Sequence, residues 1–143
     1  MTKQFSFWIW GAIVCQLLTA AIHSLSFFVD VPPANEAEKQ LDTLLKTYKI
    51  DAGGGFHPTT QNLFDAMSAG FGILFLFGGL ITLYMKRKNI DASLWKGLLM
   101  IETLIFGVVF ILMLKLTFLL PIISTGLIFL FLLGALFSAK PVS

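Results

Sequence analysis

The feature that most restricts this chain is a polar stripe inside an apolar run. Residues 5–28 are almost wholly apolar, yet Gln16, Thr19, His23 and Ser26 recur within them at intervals of three or four. That spacing is one face of a helix. A helix of about 24 residues rises roughly 36 Å, enough to cross the hydrocarbon core of a bilayer with some tilt. Lipid tails offer no hydrogen-bond partner. The face through Ala12, Gln16, Thr19, His23, Ser26 and Asp30 must therefore turn toward other helices.

The rest of the composition agrees with a membrane setting. The 143 residues are 57% hydrophobic and only 13% charged, with a mean hydropathy of +0.86, whereas a soluble domain carries about twice that charge. The chain is predicted to be an all-α integral membrane protein, one transmembrane domain over 1–143 with no room for a separate soluble catalytic domain. Its first segment is longer than the apolar part of a signal peptide. Only Lys3 precedes it as a basic residue, and no clear small-x-small cleavage site comes before Asp30, so it is expected to stay as an anchor. A net charge of +2 is too small to imply a nucleic-acid partner. The single cysteine, Cys15, falls in the first span. It allows neither an intramolecular disulfide nor a cysteine-rich metal site, and is expected to be a small packing residue.

Four spans are predicted, at about 5–28, 60–84, 93–114 and 119–138, forming a four-helix bundle. Trp8, Trp10, Tyr84 and Trp95 mark one interface, where amphipathic rings settle at headgroup level. Pro32-Pro33 ends helical propagation after Asp30. Asn35 and Glu38 then match a capping box, which opens a short amphipathic helix over about 36–49 with Leu41, Leu44, Leu45 and Tyr48 on its apolar face. That helix is too short to be stable alone in water, so its apolar face is expected on the membrane interface or the mouth of the bundle. Gly53-Gly54-Gly55 should stop it and act as a flexible joint. The second span opens near His57-Pro58-Thr59-Thr60 and carries a stripe of its own, Gln61, Asp65, Ser68, Gly72, Gly79 and Thr82. In it Ala66/Gly70 and Ser68/Gly72 form small-xxx-small pairs suited to close helix approach. Met85-Lys86-Arg87-Lys88-Asn89 ends that span. Asp91 or Ser93 is the expected N-cap of the third, and Pro121 suits the first turn of the fourth.

Lys86, Arg87, Lys88 and Lys96 lie between the second and third spans, whereas Lys39, Lys46 and Lys49 in the 30–62 segment are matched by Asp30, Glu36, Glu38, Asp42 and Asp51. An excess of Lys and Arg marks the cytoplasmic side. The short amphipathic helix should thus be exterior and both termini cytoplasmic, in keeping with Lys3 and Lys140.

Measured by residue rise from the interface aromatics, Gln16 and Glu102 fall about 10–12 Å deep and His23 and Asp65 about 22–28 Å. Two polar layers are expected: Gln16 with Glu102, and His23 with Asp65, the latter joined by His57, Gln61 or Asp30 near the exterior mouth. A charged, unpaired carboxylate at the depth of Glu102 costs several kcal/mol, so that side chain should be protonated, paired or wet. The bland reading of His23–Asp65 is an interhelical tie, and that of His57 a plain interfacial residue, although histidine titrates near neutrality. Two histidines and one acid at uncertain spacing are a poor zinc set, and His23 with His57 a poorer haem set. No metal and no cofactor is expected.

The tracts Val31-Pro32-Pro33-Ala34-Asn35-Glu36, Gly54-Gly55-Phe56-His57-Pro58-Thr59-Thr60 and Leu63-Phe64-Asp65 resemble those of small, functionally unassigned four-span proteins of the bacterial inner membrane. The resemblance implies that setting and the four-helix architecture, and supplies no catalytic residues. In outline the chain is also similar to DoxX-like and sterol-isomerase-like four-helix membrane proteins, a likeness of architecture only.

No nucleophile, base and orienting group assemble into a recognisable set. The expected function is therefore non-enzymatic: binding a lipid or small hydrophobic ligand, or serving as an accessory subunit to a membrane partner or a second copy, with Gln16, Thr19, His23, His57, Gln61, Asp65 and Glu102 as candidate binding residues. The rival is a membrane enzyme on a lipid-soluble substrate, with Glu102 as proton donor or acceptor and His23/Asp65 as an acid–base pair. An open cavity reaching Glu102 would separate the two. A proton or ion pathway joining the layers ranks last, since Thr19 alone lies between them.

Overall fold

The computed structural model describes residues 2–29, 31–88 and 90–139. Asp30 of the polar stripe, Asn89 of the basic turn and Lys140 of the charge count lie outside the described residues. The chain forms α1 (Lys3–Leu25), a 3-10 turn (Ser26–Phe28), α2 (Glu36–Thr47), α3 (Thr60–Arg87), α4 (Ala92–Leu116) and α5 (Leu119–Ser138). Apart from α2, each helix is long and apolar enough to cross a membrane. The protein is an all-α, multi-pass membrane protein built on a four-helix bundle.

The helices fall into two compact units, one of residues up to Thr19 together with Phe75 onward, the other Ala20–Leu74. The first is the bundle. Its buried positions include Phe5, Ile9, Ala12, Ile13 and Gln16 on α1; Phe75 and Thr82 on α3; Trp95, Leu99, Glu102, Thr103, Phe106 and Val109 on α4; and Thr125, Ile128, Leu132 and Ala135 on α5. Apart from Ile13 and Thr103, those on α1, α4 and α5 alternate by three and four residues and the two on α3 lie seven apart, the 3.5-residue seam of knobs-into-holes packing. Small residues set the helix spacing. Gly126 of α5 faces the Phe110 ring of α4 while Gly107 of α4 faces the Phe129 ring of α5, and the two phenyl rings stack at 6.1 Å. Gly11 of α1 faces Phe131 of α5, Gly134 of α5 faces Trp8 of α1, and Gly79 of α3 faces Leu17 of α1. In this way α1 adjoins α3 and α5. Phe75 and Phe106, ring centres 5.7 Å apart, join α3 to α4.

Trp95 was expected at the interface and is instead turned inward. It is 2% exposed and meets the Phe5 ring edge to face at 5.5 Å, because the 3.5-residue seam of α4 runs through position 95. Trp10 and Tyr84 remain exposed, with the ammonium groups of Lys86 and Lys88 over their rings at 5.4 and 5.8 Å. α3 runs three residues beyond the predicted Tyr84, since Lys86 and Arg87 are good helix formers and complement the dipole of a last turn.

The second unit holds the end of α1, α2 and the first half of α3. Asn35 caps α2 as predicted, its side-chain oxygen accepting from the Glu38 N–H at 2.9 Å; Glu38 reaches back one residue further than expected, to the Ala34 N–H at 2.7 Å. α2 ends at Thr47, short of the predicted 49. The glycines form a hydrogen-bonded turn. Gly53, Gly54 and Gly55 all take positive φ, between 61° and 82°, and form the tip of a turn. Asp51 accepts the Gly53 N–H at 3.0 Å, the Ile50 N–H donates to the Pro58 carbonyl at 2.9 Å, and the Ala52 N–H donates to the Phe56 carbonyl at 3.1 Å. Three consecutive left-handed residues suit glycine alone. Thr59 and Asn62 then exchange side chain to backbone bonds, at 3.0 and 3.2 Å, and open α3.

Candidate functional site

The polar residues of the bundle converge at one level. Thr82 of α3 donates its hydroxyl toward both oxygens of Glu102 on α4, at 2.8 and 3.0 Å. Gln16 of α1 borders the same carboxyl. Its amide nitrogen and oxygen nonetheless find no partner with good hydrogen-bond geometry. None of the three is open to the outside: Gln16 and Thr82 are 0% and Glu102 5% exposed. Gly78, one turn from Thr82, makes room for the amide, since a methyl group there would stand 3.1 Å from the Gln16 nitrogen and 3.3 Å from the Phe106 ring.

The predicted neighbourhood of Gln16 and Glu102 is therefore present, but the hydrogen bond to the carboxyl comes from Thr82, a residue the sequence marks only as part of a stripe. Its signal was its position, three residues beyond Gly79 on the same helix face. Two further buried groups escaped sequence reasoning. The Trp95 indole N–H and the Thr103 hydroxyl are enclosed without a partner among the described residues. Thr19 is half-buried.

At the end of the bundle near the α3–α4 turn, Lys86 donates to the Ser6 hydroxyl at 2.9 Å. It lies one helical turn from Thr82.

In the second unit His23 is half-buried, and its partner is not Asp65. The ring Nε2 sits 2.8 Å from the Ser68 hydroxyl and 2.9 Å from the Ser68 carbonyl, and the ring edge lies against Gly72. The register is one turn off the expected pairing, because the small Ser68/Gly72 surface is what admits the end of α1. Asp65 is exposed and accepts from Gln61 within its own helix at 2.8 Å. His57 is exposed in the turn before α3. His23, His57, Gln61 and Asp65 therefore do not gather into one site. No group of three or more His, Cys, Asp or Glu side chains stands close enough to hold a metal among the described residues.

In comparisons with known proteins, the chain matches no family model, no curated protein and no solved structure.

Proposed function

We propose that this is a non-enzymatic protein of the bacterial inner membrane, both termini cytoplasmic, that binds a lipid or small hydrophobic ligand or acts as an accessory subunit to a membrane partner. One observation carries the reading: the second unit presents apolar side chains that no other described residue covers. Phe28 is 85% exposed, Val31 78%, Phe56 73%, and Leu41 and Leu44 on one face of α2, with Tyr48 just after its end, are 56 to 63% exposed. A helix with such a face needs a bilayer, a ligand or a partner against it. Its charges offer no electrostatic alternative, since Glu36 with Lys39 and Asp42 with Lys46 pair along its polar side. The enzyme reading draws less support, because a substrate would have to reach a Glu102 carboxyl enclosed by packed side chains.

Lipid extracts of gently purified protein, analysed by mass spectrometry, test the proposal. A lipid or hydrophobic species retained above its share of the membrane, and lost from Leu41→Glu/Leu44→Glu, is the expected result. Retention identical in the wild type and that variant, with no protein co-purifying, would sink it. The setting and orientation rest on the resemblance and on the Lys and Arg asymmetry.

A further inference from the structure

One end of the bundle gathers cations that no acid neutralises. The Phe5 ring of α1 against Trp95 of α4 and the bond from Lys86 of α3 to Ser6 of α1 bring the start of α1, the end of α3 and the start of α4 to the same level. Lys3, Lys86, Arg87, Lys88 and Lys96 lie there, with Asp91 as the one acid. On α2 cations pair with carboxylates, but among the described residues no ion pair reaches any of these five. Lys86 differs from the other four. They are exposed, whereas Lys86 is half-buried. Its ammonium donates to the Ser6 hydroxyl at 2.9 Å and lies 5.4 Å from the centre of the Trp10 ring. An ammonium has three N–H donors. Ser6 takes one, and an aromatic face attracts the charge without replacing an oxygen acceptor. Toward the middle of the span, the apolar surface next to this point is open. Trp10 and Val14, one turn apart on α1, are each 47% exposed, and Leu17 of α1 and Leu83 of α3 are partly exposed.

We propose that Lys86, held by Ser6 and Trp10, binds the phosphate of an anionic phospholipid in the leaflet on this side of the membrane. Its ammonium is a compact point charge of the kind that binds phosphate, and two side chains of α1 fix its position. The neighbouring cations add positive potential, which favours a headgroup of net negative charge over a zwitterionic one. Trp10 sits where aromatic rings settle at headgroup level. Val14, Leu17 and Leu83 continue the site to the depth of the acyl chains. A free phosphate ion meets the same charges but leaves that apolar strip uncovered, so the lipid is the better match. The proposal does not rest on the apolar face of α2, which is a different surface with different residues.

In the test, the full chain in detergent is titrated with dioleoyl phosphatidylglycerol and, separately, with dioleoyl phosphatidylcholine, and bound lipid is counted by native mass spectrometry. The wild type should bind phosphatidylglycerol about tenfold more tightly, as a bond between charged groups implies. Lys86→Gln should remove most of that preference and Lys86→Arg should keep it. Lys96→Gln, which discharges an exposed side chain, should change it by about twofold at most. Equal affinity of the wild type for the two lipids overturns the proposal. So does an equal loss in Lys86→Gln and Lys96→Gln, the mark of a diffuse surface charge. Sodium phosphate should not displace the lipid; displacement at a concentration equal to that of the lipid would mean that the site takes free phosphate, and overturns the assignment. Should Lys86→Gln fail to fold, Ser6→Ala and Trp10→Leu remove the two groups that hold the ammonium. Each should lower the preference severalfold, and an unchanged preference in both overturns the site.

Discussion

Thr82 touches Glu102 through a single hydroxyl, and replacing it with valine removes that oxygen while keeping the shape. An enclosed carboxyl that loses its donor costs about 1–3 kcal/mol in general, and hydrogen bonds between membrane helices measure toward the low end of that range. Thr82→Val should therefore lower thermal stability in detergent, and Thr82→Ser should restore most of it. If valine and serine are equally stable, the hydroxyl is not what holds the carboxyl. His23 gives a second case. Because its ring nitrogen faces the Ser68 hydroxyl, a double-mutant cycle of His23→Leu with Ser68→Ala should return a coupling of about 0.6 kcal/mol, held down because the Ser68 carbonyl stays available. The same cycle with Asp65→Leu should return none; a coupling there equal to that of Ser68 would restore the pairing that helix spacing suggested.

At the scale of helices, the α4–α5 contact depends on a reciprocal fit, each helix offering a glycine to a phenyl ring of the other. A side chain at Gly126 would meet Phe110 at 2.9 Å from its first carbon. Gly126→Leu overpacks that contact and should cost about 1–3 kcal/mol. Gly97, next to the buried Trp95, has nothing within 4 Å of such a carbon, so Gly97→Ala should be neutral or gain up to about 1 kcal/mol from helix propensity. Equal effects of the two changes, measured by thermal unfolding in detergent, would contradict the packing described. The same comparison separates the two small-residue pairs of α3. Gly72 lies against His23 and Ser24, while Gly70 faces open space. The spacing of Ala66/Gly70 and Ser68/Gly72 is identical in sequence, and only the rotation of α3 about its axis tells them apart.

For the molecule as a whole, the charge asymmetry makes a prediction that no side-chain contact can. With Cys15 replaced, a cysteine at Lys46 should react with an impermeant reagent applied to intact cells, and one at Lys88 only after the inner face is opened; reversed labelling would overturn the orientation. Number, length and order of the spans could be derived from sequence because they follow from a one-dimensional property, the run of apolar residues against the thickness of a bilayer, punctuated by prolines, caps and basic turns. The presence of Gln16 and Glu102 inside the bundle was equally open to inference, since lipid cannot satisfy them. Packing decided the rest. A membrane helix is apolar on its lipid face and on its buried face alike, so hydropathy carries little phase with which to orient it. The seam through Trp95, Glu102 and Val109, the choice of Thr82 for Glu102 and the choice of Ser68 over Asp65 for His23 all depend on the rotation and register of helices, and those are set by which glycine admits which side chain.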